Sequence, residues 1–138
     1  MNTYLDTSAV VKLFLDEPES EVAWALFGAA TELFAASVGY VEARSALGAA
    51  RRAGRLSGAR SDAARTELEE IWQEVHVVDL HDGVLARAGD AAELLKLRAG
   101  DAIHLTSALA LDDPQLVFAT WDHELGRAAR EAGLAVAP

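Results

Sequence analysis

Thr3-Tyr4-Leu5-Asp6-Thr7-Ser8-Ala9, near the start of this 138-residue chain, has the pattern of a strand that ends at an acidic residue and leads directly into a helix. We predict a strand over residues 2–6, and the hydroxyls of Thr7 and Ser8 suit the start of a helix running to about Leu15. Two later apolar runs also lie beside an aspartate: Asp101-Ala102-Ile103-His104 after a glycine, and Leu116-Val117-Phe118-Ala119-Thr120-Trp121-Asp122. The recurrence of this arrangement decides the fold class.

Strand-like and helix-like segments alternate along the rest of the chain. Further strands are predicted at residues 33–37, 75–80, 116–119 and 134–136. Further helices are predicted from Glu17 onward and at about 39–52, 61–74, 82–97, 101–111 and 122–131, with Gly100 closing the region before the buried helix that begins at Asp101. This alternation predicts a parallel sheet with helices on both faces and a site beyond the carboxyl ends of its strands. We expect one domain over residues 1–138 that includes a helical hairpin at about 39–74.

The helix over 39–52 carries two sets of residues that bear on packing. Tyr40, Val41, Leu47 and Ala50 approximate an apolar stripe and are expected to face inward. Ser45, Ala46 and Ala49 are small, and we expect them to let another element approach closely. Glu42 lies off the apolar stripe.

Charge is distributed unevenly over this acidic chain. The net charge of −10 argues against a simple nucleic-acid binder. The segment from Arg44 to Arg65 nevertheless contains six of the twelve basic residues and only one acid, Asp62. Two interpretations remain open for its arginines: a solvated helical face, or an arm that contacts phosphates, formed mainly by Arg44, Arg51, Arg52 and Arg55.

The absence of cysteine excludes disulfides, thiolate metal sites and a cysteine nucleophile.

The first residues lack the basic patch and unbroken apolar stretch of a signal peptide, so we expect a cytoplasmic location and no membrane partner.

Four carboxylates, Asp6, Glu42, Asp101 and Asp122, can meet at one edge of the predicted sheet. At a spacing of about 5 Å and an effective dielectric near 20, each pair would repel by roughly 3 kcal/mol. Such a cluster requires a cation, and oxygen-only ligands suit Mg²⁺ or Mn²⁺. Taken singly, Asp101 and Asp122 are also explained as helix N-caps, whereas Asp6 has Thr7 or Ser8 beside it to perform that role.

Four segments together resemble PIN-domain ribonucleases, and most closely the VapC-type toxins of bacterial toxin–antitoxin pairs. They are Tyr4-Leu5-Asp6-Thr7-Ser8-Ala9, Val41-Glu42-Ala43-Arg44-Ser45-Ala46-Leu47, Leu97-Arg98-Ala99-Gly100-Asp101-Ala102-Ile103-His104-Leu105 and Phe118-Ala119-Thr120-Trp121-Asp122. The resemblance implies a three-layer α/β/α PIN-like fold with a mainly parallel sheet of four to five strands. It also implies a metal-dependent endoribonuclease in which Asp6, Glu42, Asp101 and Asp122 are the acidic quartet and Ser8 and Thr120 are supporting hydroxyls. A homodimer or higher even oligomer and a cognate antitoxin are the implied protein partners.

The residues suggest a division of roles in phosphodiester hydrolysis. Asp6 and Asp101 are predicted to bind the principal Mg²⁺, for which Mn²⁺ would substitute, and Asp122 to bind or orient a second ion or a water. Glu42 is predicted to position the attacking water, and no organic cofactor is expected. His104 lies one helical turn from Asp101 and is either a metal ligand or a buried residue of its helix.

The other histidines and the tryptophans give little further evidence about function. His76, His81 and His123 show no repeated ligand spacing, which argues against a zinc site. Trp24, Trp72 and Trp121 are interpreted as core or dimer-interface residues, with stacking of Trp121 on an RNA base as the alternative.

Three other functions need residues that this chain lacks. A haloacid-dehalogenase-type phosphatase needs a second acid where Ser8 stands, a receiver domain needs acidic neighbours for Asp6, and a dinucleotide-binding domain needs a Gly-rich turn after the first strand. The remaining alternative is a catalytically silent PIN-like module that binds protein or docks RNA.

Overall fold

The central sheet has five strands, all parallel, in the spatial order β3-β2-β1-β4-β5. The computed structural model describes all residues, 1–138. The strands are β1 (Asn2–Leu5), β2 (Glu32–Ala36), β3 (Val75–Val78), β4 (Val117–Ala119) and β5 (Ala135–Ala137). The helices are α1 (Thr7–Phe14), α2 (Ser20–Ala29), α3 (Ser37–Arg52), α4 (Gly58–Gln73), α5 (Asp82–Leu95), α6 (Ala99–Leu109) and α7 (His123–Glu131). The predicted α/β fold class is confirmed.

Strand β1 occupies the middle of the sheet and is buried on both faces. Leu5 faces a core formed with α1 to α4, whereas Tyr4 faces a second core formed with α5 to α7 and stacks on Phe118 at 5.2 Å between ring centroids. Because helices cover both faces of the sheet at β1, Thr3 and Tyr4 are fully buried, and the charged residue Asp6 lies at the strand end.

The register of the parallel strands determines which residues meet at the carboxyl edge. Leu5 of β1 lies opposite Ala119 of β4, and the N–H of Asp6 donates to the carbonyl of Ala119 at 3.2 Å. Asp6 and Thr120 therefore leave the sheet side by side.

Helix α6 begins earlier than its sequence suggested. Gly100, expected to end the preceding region, instead lies in the first turn of α6, and Asp101 is the third residue of the helix. Lys96, in the left-handed conformation at φ 54°, ends α5. The stop signal therefore lies four residues before the glycine that was interpreted as one.

Two other expectations about the helices are wrong. Helix α2 begins at Ser20, because Glu19 adopts a left-handed conformation (φ 66°) that no helix continues through. In α3, Leu47 and Ala50 are buried as expected and Tyr40 packs against the core, but Val41, also expected to face inward, is 66% exposed. The close approach occurs instead at Gly39, where a Cβ would lie 3.4 Å from the Trp72 ring, whereas Ser45 and Ala49, expected to allow it, are exposed.

Helices α3 and α4 are joined by a short turn in which Gly54 has φ 75°, a conformation that favours glycine. Leu68 and Ile71 of α4 are buried as predicted, and Trp72 packs beside Tyr40. None of the seven helices combines the length and the apolar content needed to cross a membrane.

Candidate active site

A pocket of about 390 Å³ lies beyond the carboxyl ends of β1 and β4 and contains all four predicted acidic residues. Its twelve lining residues are Asp6, Thr7, Ser8, Val11, Lys12, Glu17, Glu42, Arg98, Asp101, His104, Trp121 and Asp122. The quartet predicted from the sequence is thus brought together by elements that are far apart along the chain.

Asp6 lies at the deepest and most constrained position of the pocket, with 3% of its surface exposed. One carboxylate oxygen accepts hydrogen bonds from Ser8 Oγ at 2.6 Å and from the Ala9 N–H at 2.9 Å; the other accepts from Thr120 Oγ1 at 2.6 Å. Burial raises the pKa of Asp6 above its ordinary value of 3.8, against the lowering effect of these hydrogen bonds. A cation at this carboxylate would offset the cost of burying its charge.

The bond from Ala9 corrects one sequence argument. Asp6 is itself the N-cap of α1, so the neighbouring Thr7 and Ser8 do not take that role. Their hydroxyls are used in the pocket instead: Ser8 supports Asp6, and Thr7 donates to Glu42 Oε1 at 2.8 Å. Asp6 can cap α1 and also take part in the site, because Oδ1 accepts the capping bond from the Ala9 N–H whereas Oδ2 accepts from Thr120.

Asp122 caps α7 and also reaches the pocket. Its Oδ1 accepts from the Leu125 N–H at 2.9 Å, and its own N–H donates to Thr120 Oγ1 at 3.1 Å. Asp101 has no capping role, because the N-cap of α6 is Arg98. For Asp122 the capping interpretation is confirmed and the side chain also lines the pocket, whereas for Asp101 the capping interpretation is wrong.

Arg98 is the pocket residue that sequence reasoning missed most clearly. Its Nε donates to Asp101 Oδ2 at 3.2 Å and its Nη2 to Asp122 Oδ2 at 3.3 Å, although its side chain is 81% exposed. The i, i+3 spacing from Asp101 was the available signal. The guanidinium therefore supplies positive charge between two carboxylates of the quartet.

Glu42 projects from α3 into the pocket, where it meets His104. Its Oε1 lies 2.7 Å from His104 Nε2. The hydrogen bond with His104 is the main cause of a pKa of Glu42 below its ordinary value of 4.5, and partial burial opposes it. An ionised carboxylate is therefore held at the wall of the pocket.

The donor atoms of the pocket agree in chemistry with a divalent cation, although they are not gathered around one point. No group of three or more His, Cys, Asp and Glu side chains lies close enough together to hold a metal in this arrangement. The available donors are nevertheless oxygens of Asp6, Asp101 and Asp122, the type that Mg²⁺ and Mn²⁺ prefer, and one guanidinium already contacts two of these side chains. The chemistry of these ligand atoms therefore fits Mg²⁺ or Mn²⁺.

The predicted arginine arm is only partly available to a ligand. Arg44 packs on Tyr40, donates to its hydroxyl at 2.8 Å and lies 3.8 Å from Glu69. Arg51 and Arg52 are exposed at the end of α3. Arg55 lies 3.3 Å from Glu17, a residue of the pocket wall, so this end of the hairpin lies beside the pocket.

The tryptophans occupy different environments. Trp121 lines the pocket, where its backbone N–H donates to Ser8 Oγ at 2.8 Å, and Lys12 Nζ lies 5.3 Å from its ring centroid. Trp24 is 47% exposed and contacts Phe27. Only Trp121 is placed where it could contact a ligand of the pocket.

Comparison with protein families gives a match to the PIN domain over residues 3–131. Two curated relatives, ribonucleases VapC45 and VapC49 of Mycobacterium tuberculosis, are each 40% identical over 135 residues, covering 98% of this chain and 94% of theirs.

Solved structures share the fold at lower identity. PAE2754 from Pyrobaculum aerophilum has a TM-score of 0.75 at 21% identity, with 99% of this chain and 83% of that chain covered. VapC20 of M. tuberculosis, described as a toxin that cleaves the sarcin–ricin loop, has a TM-score of 0.71 at 14% identity and 96% coverage of both chains. A toxin–antitoxin complex from Klebsiella pneumoniae has a TM-score of 0.60 at 18% identity, with 87% of this chain and 86% of that chain covered.

Proposed function

This chain belongs to the PIN domain family, and we propose that it is a divalent-metal-dependent endoribonuclease, the toxin of a toxin–antitoxin pair. Ribonuclease activity of the VapC type follows from 40% identity to VapC45 and VapC49 over nearly the whole chain. The observation that carries the proposal further is the presence of Asp6, Glu42, Asp101 and Asp122 in one pocket.

Asp6, Asp101 and Asp122 would hold the metal, which is proposed to be Mg²⁺ with Mn²⁺ as a substitute. When bound, such an ion supplies positive charge that stabilises the phosphate in the transition state and lowers the pKa of water. Asp6 is suited to this role because Ser8 and Thr120 fix its carboxylate while burial leaves its charge in need of a counterion.

The side chains around the quartet would position substrate and water. The Glu42 carboxylate, kept ionised by its hydrogen bond with His104, can accept a hydrogen bond from the attacking water and orient it towards phosphorus. Arg98 is exposed, so its guanidinium can turn from Asp101 and Asp122 to a phosphate oxygen. No side-chain histidine is required as the base.

RNA would approach over the α3–α4 turn. Arg51, Arg52 and Arg55 are proposed to contact phosphates there, because Arg55 adjoins the pocket through Glu17. Arg44 is a weaker candidate than the sequence suggested, since Tyr40 and Glu69 already engage its guanidinium. The arm would hold RNA against an otherwise acidic protein.

An antitoxin that carries basic residues is the proposed protein partner. The chain outside the Arg44–Arg65 segment is strongly acidic, which favours attraction of a basic peptide. Arg98 illustrates how one guanidinium contacts both Asp101 and Asp122, and an arginine or lysine of the antitoxin would replace the charge of the metal in the same way. Titration of the antitoxin peptide at increasing Mn²⁺ should show competition; affinity that is independent of Mn²⁺ would refute this mode of inhibition.

Self-association into a homodimer or a higher even oligomer is also proposed. Val41 and Leu94 are 66% and 81% exposed, and burial of such apolar side chains between copies would stabilise a dimer. Sedimentation equilibrium over a wide concentration range tests this: a monomer at all concentrations would contradict it.

The nuclease proposal is tested by expressing the wild type, Asp6→Asn and Asp90→Asn, followed by mapping of RNA ends in the cells. Asp90 lies on the exposed face of α5 and provides the control for loss of one acidic side chain. Wild type and Asp90→Asn should arrest growth and generate the same new RNA ends, and Asp6→Asn should do neither. Identical profiles for all three would favour the catalytically silent module.

A further inference from the structure

His104 lies at the pocket with 2% of its surface exposed, and both of its ring nitrogens have polar partners. Nε2 lies 2.7 Å from Glu42 Oε1 and 3.0 Å from Thr7 Oγ1. Nδ1 lies 3.0 Å from the hydroxyl of Tyr4. The ring thus connects the central strand β1 to a carboxylate on α3.

The order of donors along this chain of bonds can be assigned from its buried end. The backbone N–H of Ala36, the last residue of β2, donates to the Tyr4 hydroxyl oxygen at 3.0 Å. Tyr4 is a neutral phenol with one proton to give, and its hydroxyl, which already accepts from Ala36, directs that proton to His104 Nδ1 at 3.0 Å. A neutral imidazole that accepts at Nδ1 carries its proton on Nε2, and that proton faces Glu42.

We propose that His104 is a positioning residue, which fixes the Glu42 carboxylate in the pocket by donating from Nε2–H. The Tyr4 hydroxyl, held by the backbone N–H of Ala36, donates to Nδ1 and so keeps the imidazole proton on Nε2. This inference rests on the proposed nuclease function. Glu42 needs such support because α3 presents it from the side, with 35% of its side chain exposed, and a glutamate has several rotatable bonds. Thr7 and His104 together direct two hydrogen bonds to the same oxygen, Oε1.

His104 also links two members of the quartet. It belongs to α6, one turn after Asp101, whereas Glu42 belongs to α3. The bond between His104 and Glu42 therefore sets the position of one acidic residue relative to the helix that carries another. This is the geometry expected of a residue that acts through its neighbour and not on the substrate.

Steady-state kinetics on a synthetic RNA with Mn²⁺ tests the proposal with three substitutions. His104→Leu removes both bonds at similar volume and should lower kcat about 10- to 100-fold while KM for RNA stays nearly unchanged. His104→Gln can place an amide N–H near the former Nε2 and should recover part of the activity. His76→Leu, on the exposed edge strand β3, is the control and should behave as wild type.

A double-variant cycle with Glu42→Gln distinguishes positioning from general support of the fold. If His104 acts through Glu42, adding His104→Leu to Glu42→Gln should cause little further decrease in single-turnover rate. Multiplied decreases, or a His104→Leu variant as active as wild type, would overturn the proposal.

Imidazole ¹⁵N NMR of the wild type and Tyr4→Phe reads the hydrogen-bond order without turnover. A neutral His104 protonated at Nε2, with an Nδ1 shift that moves in Tyr4→Phe, supports the assignment. An imidazolium, or a proton on Nδ1, refutes it. If wild type and Asp6→Asn are equally inactive on RNA, the proposed function fails, and this spectrum alone decides the role of His104.

Discussion

The carboxylate of Glu42 lies directly over Gly100: a Cβ placed on Gly100 would be 2.8 Å from Glu42 Oε2. Such a distance forces something to move, and the end of the glutamate side chain is what yields most easily. Gly100→Ala should therefore displace Glu42 and lower kcat by about tenfold or more, whereas the helix propensity of alanine should keep the melting temperature unchanged or raise it. Parallel measurement of RNA cleavage and thermal melting tests this opposite response.

Gly89→Ala is the matched control for this substitution. Gly89 is exposed on α5, and a Cβ there would have no neighbour within 4 Å. It should stabilise the protein by up to about 1 kcal/mol and leave cleavage unaffected. Full activity of Gly100→Ala would mean that the position of Glu42 Oε2 is not needed for the reaction.

The sequence was sufficient to predict which strands are followed by an acidic residue of the site. Parallel strands end at one edge of the sheet, so an aspartate after β1 and another after β4 had to be neighbours once the fold class was known. Asp6 and Asp122 satisfy this expectation. The same argument does not extend to side chains that reach the pocket from helices.

Glu42 and Gly100 show why the rest was not predictable from local pattern. On α3, Glu42 has the spacing of an ordinary exposed glutamate, and only its partners Thr7 and His104, 35 and 62 residues away, bring it into the site. Gly100 has the local signal of a helix stop, but it lies within α6 beside Glu42. Both placements depend on tertiary contacts that propensity does not contain.

Asp6→Asn should stabilise the metal-free protein at neutral pH. Because the folded-state pKa of Asp6 is raised, wild type loses stability as the pH rises from about 3.8, the ordinary value, through that raised pKa, and the penalty remains above it. Asparagine does not ionise, so the melting temperature of the variant relative to wild type should increase across this window and then level off. Each kcal/mol corresponds to about 2–8 °C.

Asp90→Asn controls for the removal of one negative charge in this experiment. With saturating Mn²⁺ the advantage of Asp6→Asn should shrink or reverse, since an ion that binds only folded wild type stabilises it by mass action. A variant less stable than wild type at every pH without metal would show that the hydrogen bonds of Asp6 outweigh the cost of its burial.

Arg98→Gln should bind Mn²⁺ about two- to tenfold more tightly than wild type. Arg98 contacts Asp101 and Asp122 at 3.2 and 3.3 Å, and a cation that binds these carboxylates must compete with both exposed ion pairs. Arg127→Gln is a close control, because Arg127 is also exposed and also contacts two carboxylates, outside the pocket. Equal Mn²⁺ affinity of wild type and Arg98→Gln by calorimetry would show that Arg98 does not compete with the ion.

The double substitution Arg51→Gln and Arg52→Gln should weaken RNA binding without changing kcat at saturating RNA. If both arginines neutralise phosphates of a single strand, the slope of log affinity against log salt should become shallower by about 0.7 for each phosphate left without its arginine. Arg87→Gln with Arg127→Gln removes the same net charge from α5 and α7, which separates a local effect from the general field of the protein. RNA titrations of catalytically inactive Asp6→Asn forms at several salt concentrations measure both slopes. If the two double variants weaken binding equally, Arg51 and Arg52 belong to a solvated helical face, and the proximity of the α3–α4 turn to the pocket through Arg55 and Glu17 has no part in holding RNA.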